Sequence, residues 1–261
     1  MNTKPDREEV RIQLRRSAFA GTCLCGALVS AIILASGAAK AQSAPGAVGK
    51  SDITAIDVSL APDATMIKHA SAANARLLRV FPKGYALDAT HRPHITLVQR
   101  FVRTEDLDKV YDAVGKVIAR SNLTGMKLEA YKYYYAPGGV LGVAGICARP
   151  TPEILKLQAD VIAAVSPFVV ETGPITAFTA PQDSAALNAD LIQYVTTFVP
   201  KMTGENFNPH VSVGVATREY LDKMDAEPFT PFTFSPVGAN VYHLGPYGTA
   251  AKELKKWRPK P

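Results

Sequence analysis

Hydrophobic and polar positions repeat with two different periods along residues 53–257, so the sequence predicts both helices and strands throughout. Apolar residues at helical spacing predict helices over about 63–81, 104–118, 152–165, 184–198 and 218–225. Alternating or β-branched stretches predict strands over about 53–60, 94–101, 126–135, 140–148, 210–215, 229–234 and 237–244, with 168–170 open between strand and loop. The elements do not follow a strict strand–helix order. We therefore expect an α+β fold with helices outside two sheets rather than a doubly wound sheet.

Two of the predicted strands carry the same five-residue pattern. Residues 93–97 read Pro-His-Ile-Thr-Leu, and residues 209–213 read Pro-His-Val-Ser-Val. Side chains alternate between the two faces of a strand, so in each copy the histidine and the hydroxyl residue share one face. The other face carries only hydrocarbon. The pattern predicts a polar groove on one side of each strand and a core on the other.

The histidines of the two copies, His94 and His210, stand 116 residues apart. Imidazole titrates near neutral pH, so two imidazoles in one cleft can divide general acid and general base work. The hydroxyls of Thr96 and Ser212, one pleat further along, can donate hydrogen bonds to phosphate oxygens. A phosphodiester suits this arrangement, because charge builds on its non-bridging oxygens during the reaction.

The motif pair resembles the 2H phosphoesterase superfamily and is similar, more narrowly, to its bacterial 2′-5′ RNA ligase and cyclic nucleotide phosphodiesterase group. Residues 241–249 also resemble that family's last strand and loop, and the likeness covers about residues 53–257. It implies a bilobal, pseudo-twofold α+β fold in which two antiparallel sheets line a central groove. It also implies a metal-independent phosphodiesterase without a cofactor, which opens 2′,3′-cyclic or related short phosphodiesters.

Carried over residue by residue, the resemblance makes His94 and His210 catalytic, and Thr96 and Ser212 phosphate-binding. In relatives that open 2′,3′-cyclic phosphates the second histidine is commonly the base, but the strand pattern alone does not assign the two roles. The sequence departs from the family in having Ser212 where threonine is commoner, and in its N-terminal export signal. That signal weighs against a tRNA or ligase role, although short RNA remains open as a substrate.

Three aromatic residues are candidate substrate contacts. Tyr135 shares a predicted strand face with Tyr131 and Tyr133 and could stack on a base, and Phe207 and Tyr247 flank the second motif and the tail loop. Two other functions remain open. A non-catalytic periplasmic binding module would keep the groove for a phosphorylated or nucleotide ligand. A metal-dependent hydrolase has little support, because Asp88 and Glu205, the carboxylates nearest in sequence to the histidines, lack ligand spacing with them.

The N-terminal segment, residues 1–41, has the order of a secretory signal peptide. A positive head precedes an uncharged stretch from Ala18 to Ala38, and Ala-Lys-Ala at 39–41 forms a cleavage signature. A retained membrane anchor is the alternative, since the apolar stretch is long enough to cross a bilayer. A Sec signal is favoured over a twin-arginine signal, because Phe19 sits one place late for the latter. The prediction is an exported protein, periplasmic or secreted, without stable membrane association after cleavage.

Cleavage after residue 41 leaves 220 residues, with a flexible leader at 42–52 and a single bilobal domain at 53–261. The formal charge falls from +6 to +3, because the removed segment holds six of the 29 basic and three of the 23 acidic residues. This mild charge does not by itself indicate a nucleic-acid scaffold. Cys147 is the one cysteine that remains after cleavage, and it is expected to be buried. The basic run at 252–258 is expected to be a solvated end. The chain is expected to be a monomer.

Overall fold

The architecture is built on one antiparallel sheet whose two halves meet at the histidine-bearing strands. The structure is a computed structural model, which describes residues 51–258, and these belong to one compact unit. The predicted signal peptide and most of the predicted leader lie outside the described residues and stay predictions. None of the helices within 51–258 has the length and hydropathy to cross a bilayer.

Nine strands and six α-helices follow one another along residues 51–258. The strands are β1 (Ile53–Pro62), β2 (Ile95–Arg103), β3 (Leu128–Gly138), β4 (Leu141–Ala148), β5 (Val169–Val170), β6 (His210–Thr217), β7 (Phe232–Phe234), β8 (Pro236–Leu244) and β9 (Ala250–Trp257). The helices are α1 (Ala64–Val80), α2 (Leu107–Ala119), α3 (Pro152–Val165), α4 (Ala185–Thr196), α5 (Phe198–Met202) and α6 (Arg218–Asp225). All five predicted helices are present. Helix α1 begins where expected, because Asp63 caps it by accepting hydrogen bonds from the first-turn amides.

The strands are ordered β7-β3-β4-β6-β2-β1-β8-β9, and β5 pairs with the far end of β2. The first four strands form one half of the sheet and the last four the other. The halves meet only where β6 and β2 pair, through Ile95 and Val211. The two predicted antiparallel sheets are therefore joined into one, and the predicted mixed α+β fold class is confirmed.

The two halves repeat the same order of elements, which gives the fold its pseudo-twofold character. In one half β1, α1, β2 and α2 follow each other. In the other half β4, α3, β6 and α6 do so, with β5, α4 and α5 inserted before β6. The motif strands β2 and β6 are equivalent under this relation and lie side by side at the centre of the sheet.

Each motif strand has a β-bulge three residues after its histidine. Thr96 and Val98 pair with neighbouring residues of β1, so Leu97 is the extra residue in β2. Ser212 and Gly214 likewise pair with neighbouring residues of β4, so Val213 is the extra residue in β6. Gly214 has φ 141°, a conformation that glycine adopts without strain. The bulges turn the strands, so that residues three apart can share a face.

The main hydrophobic core lies on the helical face of the sheet, where side chains of α1, α2, α3 and α6 pack on the strands. A second cluster covers part of the opposite face. There Ala55 and Phe101, which are paired across β1 and β2, pack under Phe178 and under Leu191 of α4. The segment that contains α4 thus packs on the same face of β1 and β2 that carries His94 and Thr96.

Strand β9 differs from the expectation for the C-terminal basic run. Residues 250–257 are not a solvated end but an edge strand that pairs with β8. The lysine side chains remain exposed while the backbone joins the sheet, and lysines on an edge discourage pairing with another chain. Cys147 is buried as predicted, and burial raises the pKa of its thiol to about 11.

Candidate functional site

The two motif copies form a four-cornered patch around the Ile95–Val211 pair. In an antiparallel register, the residue before one partner faces the residue after the other. His94 therefore stands towards Ser212, and His210 towards Thr96, with all four side chains on the face opposite the main core. The structure thus brings the two predicted histidines and the two predicted hydroxyl residues to one groove.

Both imidazoles are held by the same local hydrogen bond. His94 Nδ1 lies 2.6 Å from the carbonyl oxygen of Arg92, and His210 Nδ1 lies 2.8 Å from that of Asn208. A carbonyl oxygen can only accept, so Nδ1 carries the hydrogen in both rings. In each copy a proline separates the two partners, and a residue before proline is restricted to extended backbone. This geometry leaves both Nε2 atoms for the groove.

Asp57 of β1 is a site residue that the sequence analysis missed. Its side chain has no exposed surface, and its Oδ2 accepts hydrogen bonds from Thr96 Oγ1 at 2.7 Å and from Gln99 Nε2 at 3.0 Å. His94 Nε2 lies 3.6 Å from the same oxygen. Asp57 Oδ1 is buried and has no hydrogen-bond partner among the described residues. A single acid in the apolar run of β1 is the signal that could have identified it, since a buried carboxylate needs a partner.

The two histidines have pKa values shifted in opposite directions. Burial lowers the pKa of His94, but the charge of Asp57 and the carbonyl of Arg92 together raise that pKa above its ordinary value. Burial lowers the pKa of His210, and the nearby charge of His94 lowers it further, against the carbonyl of Asn208. His94 therefore holds its proton to higher pH than His210 does.

The two hydroxyl residues are not equivalent. Thr96 Oγ1 donates its hydrogen to Asp57, which pairs with Gln99 three residues after Thr96. The corresponding residue of β4 is Val143, which pairs with Val215 three residues after Ser212. Ser212 therefore has no carboxylate in the place that Asp57 takes beside Thr96. The predicted phosphate contact of each residue stays a prediction, and the geometry favours Ser212 as the hydroxyl free to donate.

Two tyrosine rings flank the histidines. The ring centroid of Tyr134 on β3 lies 5.3 Å from that of His210, and Tyr242 on β8 lies 6.0 Å from His94. Tyr242 is buried, whereas Tyr134 is half-buried. Gly145 lies on β4, between the strands of Tyr134 and His210. A Cβ atom at Gly145 would come within 3.2 Å of the His210 imidazole, so the lack of a side chain there leaves room for the ring. The sheet thus leaves one accessible aromatic face beside His210.

The three candidate substrate contacts have different surroundings. Tyr135 points to the helical face, where its hydroxyl donates to Asp222 of α6, because it neighbours Tyr134 in the strand and neighbours point to opposite faces. Phe207 is only 7% exposed and packs in the main core. Tyr247 is 53% exposed in the loop after β8. The carbonyl of the adjacent Gly248 accepts a hydrogen bond from Gln99 at 3.2 Å. Of the three candidates, only Tyr247 therefore lies in a loop that is hydrogen-bonded to a residue of the groove.

Metal binding has no obvious set of ligands in the described part of the chain. No group of three His, Cys, Asp or Glu side chains within 51–258 is arranged to hold a metal ion. Asp57, the carboxylate nearest to the histidines, is already bonded to Thr96 and Gln99.

Comparisons with known proteins give matches among solved structures only. No protein-family model matches the chain, and no curated protein matches it in sequence. TT0787 of Thermus thermophilus is 18% identical with a TM-score of 0.48, and the match covers 78% of this chain and 97% of that one. E. coli LigT, solved with 3'-AMP, is 11% identical with a TM-score of 0.37, covering 81% and 100%.

Kluyveromyces marxianus Usb1, solved alone and with uridine monophosphate, is 12% identical in both structures. The match to the structure solved alone has a TM-score of 0.37 and covers 78% of this chain and 98% of Usb1. The chemistry of this chain rests on its own side chains and their geometry.

Proposed function

We propose that this chain is a phosphodiesterase of the 2H type, which opens 2′,3′-cyclic or related short phosphodiesters with His94 and His210. One observation carries the proposal. The two imidazoles share a groove, present Nε2 to it, and have pKa values shifted in opposite directions. Paired titratable groups with separated pKa values are the pattern that assigns an acid and a base.

In the proposed reaction, neutral His210 is the general base and protonated His94 is the general acid. His210 Nε2 takes a proton from water as the water oxygen bonds to phosphorus. The bond from phosphorus to one ring oxygen breaks, and His94 Nε2 gives its proton to that leaving oxygen. One water is consumed, a phosphomonoester forms, and proton exchange with solvent restores both histidines.

Negative charge on the non-bridging oxygens would be met by the Ser212 hydroxyl and the His94 imidazolium. Donors fixed in place before the reaction stabilise such charge without reorganising during it. Thr96, whose hydrogen bond goes to Asp57, would act on His94 more than on phosphate. The half-buried face of Tyr134 offers a stacking surface for a base, which is consistent with a nucleotide-like substrate.

The test is a panel of 2′,3′-cyclic nucleotides and short phosphodiesters, assayed with the purified protein in the presence of a chelator. We expect turnover that the chelator does not abolish, and losses of about 10²–10⁴-fold in His94→Ala and His210→Ala. His69→Ala is the matched control, because His69 stacks on Phe232 and is not among the groove residues. Its turnover should be unchanged.

Three results would count against this function. Activity that needs an added metal would favour a metal-dependent hydrolase, and activity that survives both histidine changes would remove the proposed acid and base. Thermal stabilisation by a cyclic nucleotide without any turnover would favour the binding module. Each outcome is read from the same set of purified proteins.

The export of the protein is a separate proposal, supported by the order of charged, apolar and small residues in 1–41. We expect the exported protein to begin at Gln42, which N-terminal sequencing or intact mass measures directly. A full-length chain recovered from the membrane fraction would instead indicate a retained anchor.

A further inference from the structure

Two buried amide side chains occupy corresponding places in the two halves of the fold. Asn74 lies on α1 and is 5% exposed, and Gln158 lies on α3 and is 1% exposed. Helices α1 and α3 are equivalent, since each follows the strand that precedes the motif strand of its own half. Neither residue belongs to the two motifs, yet both contact them.

Asn74 joins the strand of one histidine to the loop that leads to the other. Its Nδ2 donates to the carbonyl oxygen of Val213 in β6 at 2.9 Å and to that of Tyr85 at 2.9 Å. Its Oδ1 accepts from the backbone amide of Leu87 at 3.1 Å. Val213 lies three residues after His210, and Leu87 lies seven residues before His94.

Gln158 makes the corresponding connection in the opposite direction. Its Nε2 donates to the carbonyl oxygen of Leu97 in β2 at 3.0 Å and to that of Met202 at 3.4 Å. Its Oε1 accepts from the amide of Gly204 at 3.4 Å. Leu97 lies three residues after His94, and Gly204 lies six residues before His210.

The strand carbonyls that receive these bonds belong to Leu97 and Val213, the two bulge residues. The extra residue of a bulge is left without a ladder partner, and a buried carbonyl without a partner is costly. Each amide supplies the missing donor. The bulge and the amide therefore form one unit in each half.

These connections matter because the ladder between the motif strands is so short. Strands β2 and β6 pair only at Ile95 and Val211, so the sheet alone fixes one point between them and leaves their angle and spacing open. Asn74 and Gln158 add a second and a third tie, one on each side of that pair. Each amide links the bulge residue of one motif to the segment that precedes the histidine of the other motif.

We propose that Asn74 and Gln158 are positioning residues that set the spacing of the two motif strands, and hence the distance between the two imidazoles. The inference rests on the proposed function, in which both proton transfers need that distance. Loss of either amide would let one strand move relative to the other, and both transfers would slow together. A reacting geometry that is off by about 1 Å costs on the order of 10²-fold in rate.

The test uses Asn74→Leu and Gln158→Met, which keep the volume and remove the hydrogen bonds. We expect kcat to fall by about 10–100-fold at a temperature where circular dichroism shows both variants folded, with KM changed by less than about threefold. Val161→Ala is the matched control, because Val161 is a buried residue of α3 without a side-chain hydrogen bond. It should lose thermal stability and keep its kcat.

A second readout does not depend on activity. NMR titration of the two imidazoles in the wild type should give two separated pKa values, and in the two amide variants the separation should change, because the interaction between the rings depends on distance. Unchanged kcat and unchanged titrations in folded Asn74→Leu and Gln158→Met would overturn the proposal, as would an equal loss of kcat in Val161→Ala. If the wild type shows no phosphodiesterase activity, the proposed function fails while the titrations still test the spacing.

Discussion

His94 Nε2 lies 3.6 Å from Oδ2 of Asp57, a carboxylate with no exposed surface. The same oxygen accepts hydrogen bonds from Thr96 and Gln99, so the negative charge is fixed in position. Only one of the two imidazoles has such a neighbour. The pseudo-twofold fold therefore contains an asymmetric pair of proton-transfer groups.

Asp57→Asn removes the charge that holds the proton on His94. Without it, burial dominates and the pKa of His94 falls, so the alkaline limb of the pH–rate profile should move to lower pH. The rate on the alkaline side of the profile should drop accordingly. The measurement is kcat/KM against pH. Asp88→Asn, which changes an exposed carboxylate near His91, should leave the profile in place.

Thr96 and Ser212 should respond differently to loss of their hydroxyls. Thr96→Val takes a donor from Asp57 and should shift the pH–rate profile, because it alters the partner of His94. Ser212→Ala should lower kcat by about tenfold without moving either limb, as expected for a lost contact to the reacting phosphate. Equal pH profiles in the two variants would show that Thr96 does not act through Asp57.

The motif strands are the part of the site that could be read from the sequence. Period-two alternation correctly placed the histidines and hydroxyl residues on one face, because that period depends only on local backbone geometry. Asp57 could not be found in the same way. It lies 37 residues before His94 and reaches it only through the pairing of β1 with β2.

The bulges explain why the sequence did not identify Gln99 as a residue of the site. Thr96 and Gln99 are three residues apart, and a regular strand would put them on opposite faces, yet both donate to Asp57. No turn residue marks the bulge at Leu97, so the sequence alone would not place Gln99 in the site. The last strand, β9, was missed because lysines dominate residues 252–256 and its edge position is a tertiary property.

Tyr134 and Tyr135 are adjacent in β3, so they test which face binds substrate. Tyr134→Ala should raise KM for a cyclic nucleotide by roughly tenfold, because base stacking on an aromatic ring contributes about 1–3 kcal/mol. Tyr135→Ala should leave KM unchanged, since Tyr135 bonds to Asp222 on the helical side. Steady-state kinetics on both variants makes the comparison. A KM effect in Tyr135→Ala alone would contradict this assignment of faces.

The two histidines should make opposite contributions to the pH dependence of stability. The raised pKa of His94 adds stability that is complete below about pH 6.5 and is lost as the pH rises through its folded value. The lowered pKa of His210 adds stability that is complete above about pH 6.5 and is lost as the pH falls through its folded value. Each unit of pKa difference corresponds to about 1.4 kcal/mol.

Urea unfolding of the wild type, His94→Ala and His210→Ala at several pH values measures these contributions. The stability deficit of His94→Ala should shrink above about pH 6.5, and that of His210→Ala should shrink below it. Parallel pH curves for the two variants would contradict the assigned directions.

Arg76 of α1 links the two halves of the fold on the helical side. Its guanidinium makes two hydrogen bonds to Glu227, at 2.7 and 2.5 Å, and a third to the hydroxyl of Tyr220 on α6. The ion pair is partly exposed, so Arg76→Ala should lower the free energy of unfolding by only about 1 kcal/mol. Arg76→Lys should recover little of this, because an ammonium cannot make the paired bonds.

Thermal unfolding measures the effect, with the exposed Arg79 of the same helix changed to alanine as the control. A loss of about 1 kcal/mol lowers Tm by about 2–4 °C in a domain of this size. The loss should be smaller at about 1 M salt, where a surface ion pair is screened, and kcat should be unchanged because Arg76 does not touch the groove. A loss that is insensitive to salt would instead indicate that the stacking of the guanidinium on the Tyr220 ring provides the stabilisation.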